Sequence, residues 1–114
     1  MKKYLLFFLL FFFPFSTLAQ ERNTVNIYFF HSNTCSHCKA EGKFLLKIEK
    51  KYDYIQIYRY EVHDQKNQEY IQALEEEYNF SLTSVPVTIV GNQTIFGYQE
   101  EKTEREIMQY VSYF

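Results

Sequence analysis

The residues of this chain most able to do chemistry are two cysteines separated by two residues, in the segment Cys35-Ser36-His37-Cys38. They are the only cysteines in the 114-residue sequence. They can therefore form one disulfide bridge, one redox pair or half of a metal site. A thiolate that attacks a disulfide forms a mixed disulfide, which a second thiol then resolves. The spacing alone is a weak signal for thiol–disulfide exchange, and the location of the pair between a strand and a helix matters more.

The elements around the two cysteines strengthen this interpretation. Residues 25–30 are β-branched, aromatic and almost continuously apolar, which predicts a strand buried on both faces. Residues 36–51 predict a helix whose apolar face contains Ala40, Phe44, Leu45 and Ile48. Free N–H groups and the helix dipole stabilise a thiolate at a helix start. We therefore expect Cys35, at the exposed start, to be the nucleophile and Cys38, one turn further in, to be the resolving thiol.

His37 lies between the two cysteines and is the third predicted catalytic residue. An imidazolium, or a neutral imidazole N–H, would stabilise the thiolate of Cys35. Stabilising the reduced form makes the disulfide more oxidising. His37 therefore favours an oxidant or an isomerase, although the residues do not fix the direction of exchange.

Two other uses of the cysteines compete with redox chemistry. A structural bridge that closes only four residues adds little stability by the loop-entropy account. A metal site for Zn or Cu(I) could combine Cys35 and Cys38 with His37 and His31. Zinc sites usually draw on two well-separated ligand pairs, and His63 is the only remote candidate. We expect no cofactor and no metal, and keep a metal-binding or metallochaperone module as the alternative.

The first residues predict a secretory signal peptide. Lys2 and Lys3 form a positive head, and residues 5–13 are all Leu or Phe. Residues 16–19, Ser-Thr-Leu-Ala, supply the small side chains expected near a cleavage site. The apolar stretch is shorter than the about 20 residues of a membrane span. We predict cleavage after residue 19, a domain over residues 20–114, and a secreted or periplasmic location, where disulfides persist. A retained anchor is the alternative, and this segment would be the only contact with a membrane.

Composition bounds the remaining possibilities. The length allows one domain, and 23% charged with 46% hydrophobic residues is typical of a globular chain. The net charge of −2 becomes −4 without residues 1–19, which contain two lysines and no acids. Nucleic-acid binding would call for a basic patch, which this net negative charge does not indicate, so we expect no nucleic-acid partner.

The rest of the chain predicts an α/β domain. Strands are expected at residues 55–62, 87–90 and 94–98, the last two joined as a hairpin by Gly91-Asn92-Gln93. Helices are expected at residues 65–78, capped by Asp64, and from Thr103, which with Glu106 makes a capping box. The order β-α-β-α-β-β-α predicts a mixed four-stranded sheet with helices on both faces.

The sequence resembles the thioredoxin-fold thiol–disulfide oxidoreductases, of the small extracytoplasmic kind. Tyr28-Phe29-Phe30 leads into the Cys-Ser-His-Cys turn, Val85-Pro86 precedes an apolar strand, and Gly97 follows the hairpin. The likeness covers about residues 25–114. It implies a three-layer fold, a cis peptide bond before Pro86, and substrate binding by Val85, Pro86 and Thr34.

Several positions depart from the usual thioredoxin pattern. Thr34 stands where thioredoxins usually carry Trp, and Ser36-His37 stands in place of Gly-Pro. The buried acid that thioredoxins place on the first strand is absent, with Phe29 near that position. A histidine before the second cysteine is more like disulfide-forming periplasmic proteins, but their large helical insertion is missing.

These observations together predict an extracytoplasmic oxidoreductase that exchanges disulfides with protein or peptide substrates. A second redox protein would be needed to recycle the cysteine pair. A dedicated reductase, for example in cytochrome maturation, is the alternative within this class. A redox-inactive domain that holds peptides against Val85 and Pro86 is the alternative outside it.

Overall fold

A computed structural model describes residues 23–114. The predicted signal peptide, residues 1–19, lies outside the described residues. The elements are, in chain order, β1 (Val25–His31), α1 (Ser36–Lys51), β2 (Ile55–Glu61), a 3₁₀ turn (Gln65–Asn67), α2 (Gln68–Tyr78), β3 (Val87–Val90), β4 (Gln93–Phe96) and α3 (Lys102–Tyr113). None of the helices in this part of the chain is long and apolar enough to cross a membrane.

The four strands form one mixed sheet in the order β2-β1-β3-β4. β1 is parallel to β2 and antiparallel to β3, and β3 and β4 form the predicted antiparallel hairpin. Phe30 near the end of β1 pairs with Val87 at the start of β3. The loop that leads to Cys35 and the segment that ends at Pro86 therefore meet at the same end of the sheet.

Helices cover both faces of the sheet and enclose two apolar clusters. The larger cluster joins one sheet face to α1 and α3 and includes Ile27, Leu45, Ile57, Ile107 and Val111. The smaller cluster joins the other face to α2 and includes Phe30, Ile71, Leu74, Val87 and Ile89. Burial of apolar surface is the main force that stabilises these layers. The predicted α/β architecture is confirmed.

Two local predictions are wrong. The buried face of α1 consists of Cys38, Glu41, Leu45 and Ile48, whereas Ala40 is exposed. Thr103 does not cap α3, because the helix begins one residue earlier and Glu101 is its N-cap. The Thr103 hydroxyl instead accepts a hydrogen bond from the Gln99 N–H at 2.8 Å, and so closes the loop before the helix.

Candidate active site

Cys35 and Cys38 form a disulfide at the start of α1, with their Cα atoms 5.2 Å apart. Cys35 is half-buried, whereas only 3% of Cys38 is exposed. An attacking reagent can therefore approach the sulfur of Cys35 but not that of Cys38. This difference in access agrees with the order of attack expected from the sequence.

The first turn of α1 directs its polar groups at Cys35. Cys35 is the N-cap residue, and the Cys38 N–H donates to its Sγ at 3.1 Å. The first turn contains no acidic residue. A helix N-terminus stabilises an anion through such N–H groups and through its dipole. In the reduced form the same groups would stabilise a thiolate on Cys35.

The loop before Cys35 is held by local hydrogen bonds. The Cys35 N–H donates to the carbonyl of the buried Ser32 at 3.2 Å, and the hydroxyls of Ser32 and Thr34 are 3.1 Å apart. The Asn33 N–H donates to Glu61 Oε2 at 3.1 Å, which ties the loop to the end of β2. The visible contacts of Thr34 are thus within the loop, and its predicted role in substrate binding stays a prediction.

Val85 and Pro86 lie directly beside the disulfide. The peptide bond between them is cis, as the resemblance implied. The carbonyl oxygen of Val85 is 3.9 Å from Cys35 Sγ. Pro86 is buried, and its carbonyl accepts a hydrogen bond from the Gly97 N–H at 2.8 Å. This bond fixes the loop after β4 against the segment that faces the disulfide.

A groove of about 430 Å³ opens next to Val85 and Pro86. Its walls include His37, Val85 and Pro86 on the side of the disulfide. Gly97 and Tyr98 of the β4–α3 loop also line it. We define this as the active-site groove. His37 is exposed at its edge, so the predicted catalytic residue and two predicted binding residues are brought together here.

A buried carboxyl group that the sequence analysis missed lies one helical turn beyond Cys38. Glu41 is completely buried, and its Oε2 accepts a hydrogen bond from the hydroxyl of Thr88 on β3. Its other oxygen, Oε1, has no hydrogen-bond partner among the described residues. Burial raises the pKa of Glu41 to about 7, against the opposing effect of the Thr88 hydrogen bond. The first strand does lack a buried acid, as predicted, but α1 provides one.

Tyr98, which lines the active-site groove, is bound to a different acid, Glu104 of α3. Its hydroxyl donates a hydrogen bond to Glu104 Oε2 at 2.5 Å. Burial raises the pKa of Tyr98 above its usual range, with further contributions from Glu104 and from the charge of Glu41. Tyr98 therefore stays protonated at neutral pH.

The histidines do not complete a metal site with the cysteines. Within residues 23–114 no three His, Cys, Asp or Glu side chains converge as ligands for a metal ion. The His31 ring stacks on Phe29, with centroids 5.2 Å apart. Burial lowers the pKa of His31, although the nearby Glu61 partly offsets this effect.

Comparisons with known proteins find similarity in structure only. No protein-family model and no curated protein sequence matches this chain. Oxidized thioredoxin O1 from Arabidopsis thaliana is 17% identical, with a TM-score of 0.60 over 86% of this chain and 87% of that one. Oxidized mitochondrial thioredoxin 3 from Saccharomyces cerevisiae is 18% identical, with a TM-score of 0.54 over 77% and 80%.

A glutaredoxin from Archaeoglobus fulgidus is 23% identical, with a TM-score of 0.50 over 80% of this chain and 98% of that one. The structural similarity establishes the fold, whereas sequence identity this low leaves the activity to be argued from the site. The chain has the thioredoxin fold, with a Cys-x-x-Cys pair at the start of its first helix.

Proposed function

We propose that this protein is an extracytoplasmic thiol–disulfide oxidoreductase that exchanges disulfides with protein or peptide substrates. The observation that carries the proposal is the Cys35–Cys38 disulfide at the N-terminus of α1, with Cys35 accessible and Cys38 buried. A purely structural bridge would not require its more exposed sulfur to lie beside a groove and to accept the Cys38 N–H of the first helical turn.

The first step of the reaction takes place at Cys35. In the reduced protein its thiolate attacks one sulfur of the substrate disulfide, so that one S–S bond forms and one breaks. The substrate sulfur that leaves takes up a proton. The Cys38 N–H, 3.1 Å from Cys35 Sγ, favours the thiolate before attack.

The second step requires that Cys38 lose its proton. The Cys38 sulfur attacks Cys35 Sγ, the mixed disulfide breaks, and the substrate leaves with both sulfurs reduced while the protein becomes oxidised. Because Cys38 is buried, bulk water is a poor proton acceptor for it. Glu41 lies one turn away on the same helix face, and a pKa of about 7 suits a group that accepts a proton near neutral pH.

The active-site groove supports binding of an extended polypeptide. Its walls combine the apolar Val85 and Pro86 with the polar Tyr98, beside an accessible sulfur. The carbonyl of Val85, 3.9 Å from Cys35 Sγ, is available to a substrate main chain that passes this sulfur. We therefore propose that Val85 and Pro86 position the substrate sulfur for attack.

The direction of exchange and the location follow from different features. The exposed His37 beside Cys35 supports an oxidant or isomerase, because its positive form would favour the thiolate. Export rests on the charged and apolar segment of residues 2–19. A dedicated reductase, recycled by another redox protein, is the alternative direction.

The decisive experiment is to trap the mixed disulfide. The Cys38→Ser variant should accumulate a covalent adduct with a peptide that contains a disulfide, whereas Cys35→Ser should form none and should lack turnover. Mass spectrometry of the adduct, reversed by dithiothreitol, measures this. An absence of any adduct with Cys38→Ser contradicts the two-step exchange.

Two further measurements fix direction and location. A reduction potential of the Cys35–Cys38 couple near about −120 mV indicates an oxidant, and one near about −270 mV a reductant. Expression of the full chain in a bacterial host, followed by N-terminal mass analysis of the periplasmic fraction, tests cleavage after residue 19. Recovery of only uncleaved, membrane-bound protein contradicts the predicted cleavage.

A further inference from the structure

The outer face of α1 carries a row of lysines that the redox chemistry does not use. Lys39, Lys43, Lys47 and Lys50 are all exposed, and we define them as the basic stripe. At about 100° per residue they fall within an arc of about 80°, opposite the buried face of the helix. The stripe begins at the residue directly after Cys38.

No ion pair within residues 23–114 neutralises the basic stripe. The ion pairs in residues 23–114 join Arg59 to Glu49 and Lys66 to Asp64, and neither includes a stripe lysine. The two glutamates of α1 do not neutralise the stripe, because Glu41 is buried in the core and Glu49 binds Arg59. A concentrated positive surface therefore stands on a chain whose net charge is −2.

Helix stability does not account for this arrangement. A lysine in the first turn opposes the positive end of the helix dipole, and Lys39 occupies that turn. Like charges four residues apart repel each other, and this spacing recurs from Lys39 to Lys43 and from Lys43 to Lys47. Only Lys50, in the last turn, complements the dipole. The stripe thus opposes the stability of α1 over most of its length.

The basic stripe is continuous with the active-site groove. A second groove, of about 370 Å³, is lined by Lys43 and Lys47 of α1, by Glu100 and by Glu104 of α3. Tyr98 lines both grooves, so they adjoin at this residue. A partner that reaches from the disulfide along α1 would contact the stripe.

We propose that the basic stripe docks an acidic surface of the protein with which the Cys35–Cys38 pair exchanges disulfides. This inference rests on the proposed function and specifies the chemistry of its partner. Opposite charges would steer the partner toward Cys35 and raise the association rate. Leu46, 46% exposed on the same face, provides an apolar contact among the lysines.

A protein partner fits this surface better than an anionic membrane does. Glu100 and Glu104 line the second groove together with Lys43 and Lys47, and these acids would repel a uniformly anionic lipid surface. A protein surface can instead present carboxylates to the lysines and other groups to the two acids. The adjoining active-site groove also supports a reaction with a polypeptide.

The test compares two synthetic peptides that differ only in charge. Each contains a cysteine in mixed disulfide with thionitrobenzoate, followed by a short tail of glutamates in one and of glutamines in the other. The second-order rate constant of the reduced protein with each is read from release of thionitrobenzoate. At low ionic strength the glutamate peptide should react about tenfold faster. In about 1 M NaCl, where the screening length is about 3 Å, the two rates should become equal.

Charge-reversal variants assign the effect to the stripe. Lys43→Glu combined with Lys47→Glu should reduce the ratio of the two rates to about one or below. The matched control combines Lys66→Glu with Arg105→Glu, which changes the net charge equally at exposed residues outside α1. This control should keep most of the preference for the glutamate peptide.

Each contrary outcome has a distinct meaning. If both peptides react at equal rates at low salt, the docking inference is overturned while the proposed exchange stands. If neither peptide reacts, the proposed function itself fails. If the preference is absent and the protein sediments with phosphatidylglycerol vesicles through the stripe lysines, the stripe serves a membrane and the inference is wrong.

Discussion

The hydroxyl of Thr88 donates a hydrogen bond to the carboxyl of Glu41 inside the core, and so joins α1 to the strand that follows Pro86. This polar pair lies beneath the disulfide, since Glu41 shares the buried helix face with Cys38. A fully buried carboxyl costs stability when it is ionised. Such a group is therefore better explained by a role in moving protons than by a role in stabilising the fold.

Replacement of Glu41 by Gln should slow the second step of exchange. The amide keeps the shape of the side chain but cannot accept a proton from Cys38, so the rate of mixed-disulfide resolution should fall by about 100-fold at neutral pH. In the native protein this rate should rise through pH about 7, as Glu41 ionises. Stopped-flow single-turnover experiments at about one-unit intervals from pH 5 to pH 9 measure the lower rate of the variant and the pH dependence of the native rate.

The control for this variant is Glu49→Gln, which changes another glutamate of α1. Glu49 is partly exposed and paired with Arg59, so its loss should leave the rate and its pH profile unaltered. An unchanged ionisation near pH 7 in Glu41→Gln would falsify the role of Glu41 as proton acceptor.

Glu41 should also make the protein less stable as the pH rises. Its pKa is about 7 in the folded protein against 4.5 for the exposed group, so the folded state binds more protons between these values. The stabilising contribution of the neutral acid is fully present below pH 4.5 and is lost by about pH 7. The loss amounts to about 3 kcal/mol of unfolding free energy.

The difference between native protein and Glu41→Gln isolates this contribution, because other groups titrate equally in both. In urea unfolding, the free energy of unfolding of the variant relative to that of the native protein should increase from pH 4.5 to pH 7 and then level off. An advantage that does not vary with pH would contradict the raised pKa of Glu41.

Thr88→Val should raise the pKa of Glu41 further. The Thr88 hydroxyl stabilises the ionised carboxylate and so opposes the effect of burial. A hydrogen bond to a charged group contributes about 1.5–3 kcal/mol, which corresponds to about 1–2 pKa units. The midpoint of the pH–rate profile should move upward by that amount. A downward or absent shift would show that Thr88 does not govern the ionisation of Glu41.

Much of the fold was predictable because its signals are local. Continuous apolar character identified β1, the glycine-led hairpin identified β3 and β4, and periodicity identified the three helices. The cis bond before Pro86 was not predictable from local properties, since most prolines of this kind are trans. It came from the resemblance alone.

The hydrophobic pattern of α1 did not predict the buried acid. Ala40 and Glu41 point about 100° apart on the helix, so they do not both face the core, and hydrophobicity favours Ala40. What stabilises Glu41 inside is Thr88, which is 47 residues away in the sequence. The position three residues after Cys38 was the available signal, because it places the acid on the face of the resolving thiol.

Thr103 failed as a predicted cap for a similar reason. A capping box with Glu106 competes with a hydrogen bond from the Gln99 N–H, and the Thr103 hydroxyl accepts the latter. The sequence pattern contains no information about this competition.

His37→Ala should make the Cys35–Cys38 couple more reducing. The exposed imidazole beside the active-site groove can carry a positive charge that favours the Cys35 thiolate, and its loss destabilises the reduced form. A shift of about 30 mV to more negative potential corresponds to a tenfold change in the equilibrium constant. Equilibration with glutathione buffers measures the reduction potential.

The control is His63→Ala, which removes an exposed histidine outside this groove and should leave the potential unchanged. An equal shift in both variants would rule out a local effect of His37.

Gly91→Ala should destabilise the protein more than Gly97→Ala does. Both glycines have positive φ, at 61° and 80°, so either substitution strains the backbone at a cost of about 1 kcal/mol or more. A Cβ at residue 91 would also lie 2.6 Å from the ring of Phe114, whereas one at residue 97 meets nothing within 4 Å. The expected cost is about 2–4 kcal/mol for Gly91→Ala and about 1 kcal/mol for Gly97→Ala.

Phe114→Ala separates the two causes at Gly91. In that background the ring is gone, so the cost of Gly91→Ala should fall to the value for Gly97→Ala, because only backbone strain remains. Urea unfolding of the four proteins in the Gly91–Phe114 cycle gives the interaction energy. A cost for Gly91→Ala that is independent of Phe114 would show that the C-terminal ring does not pack against this turn.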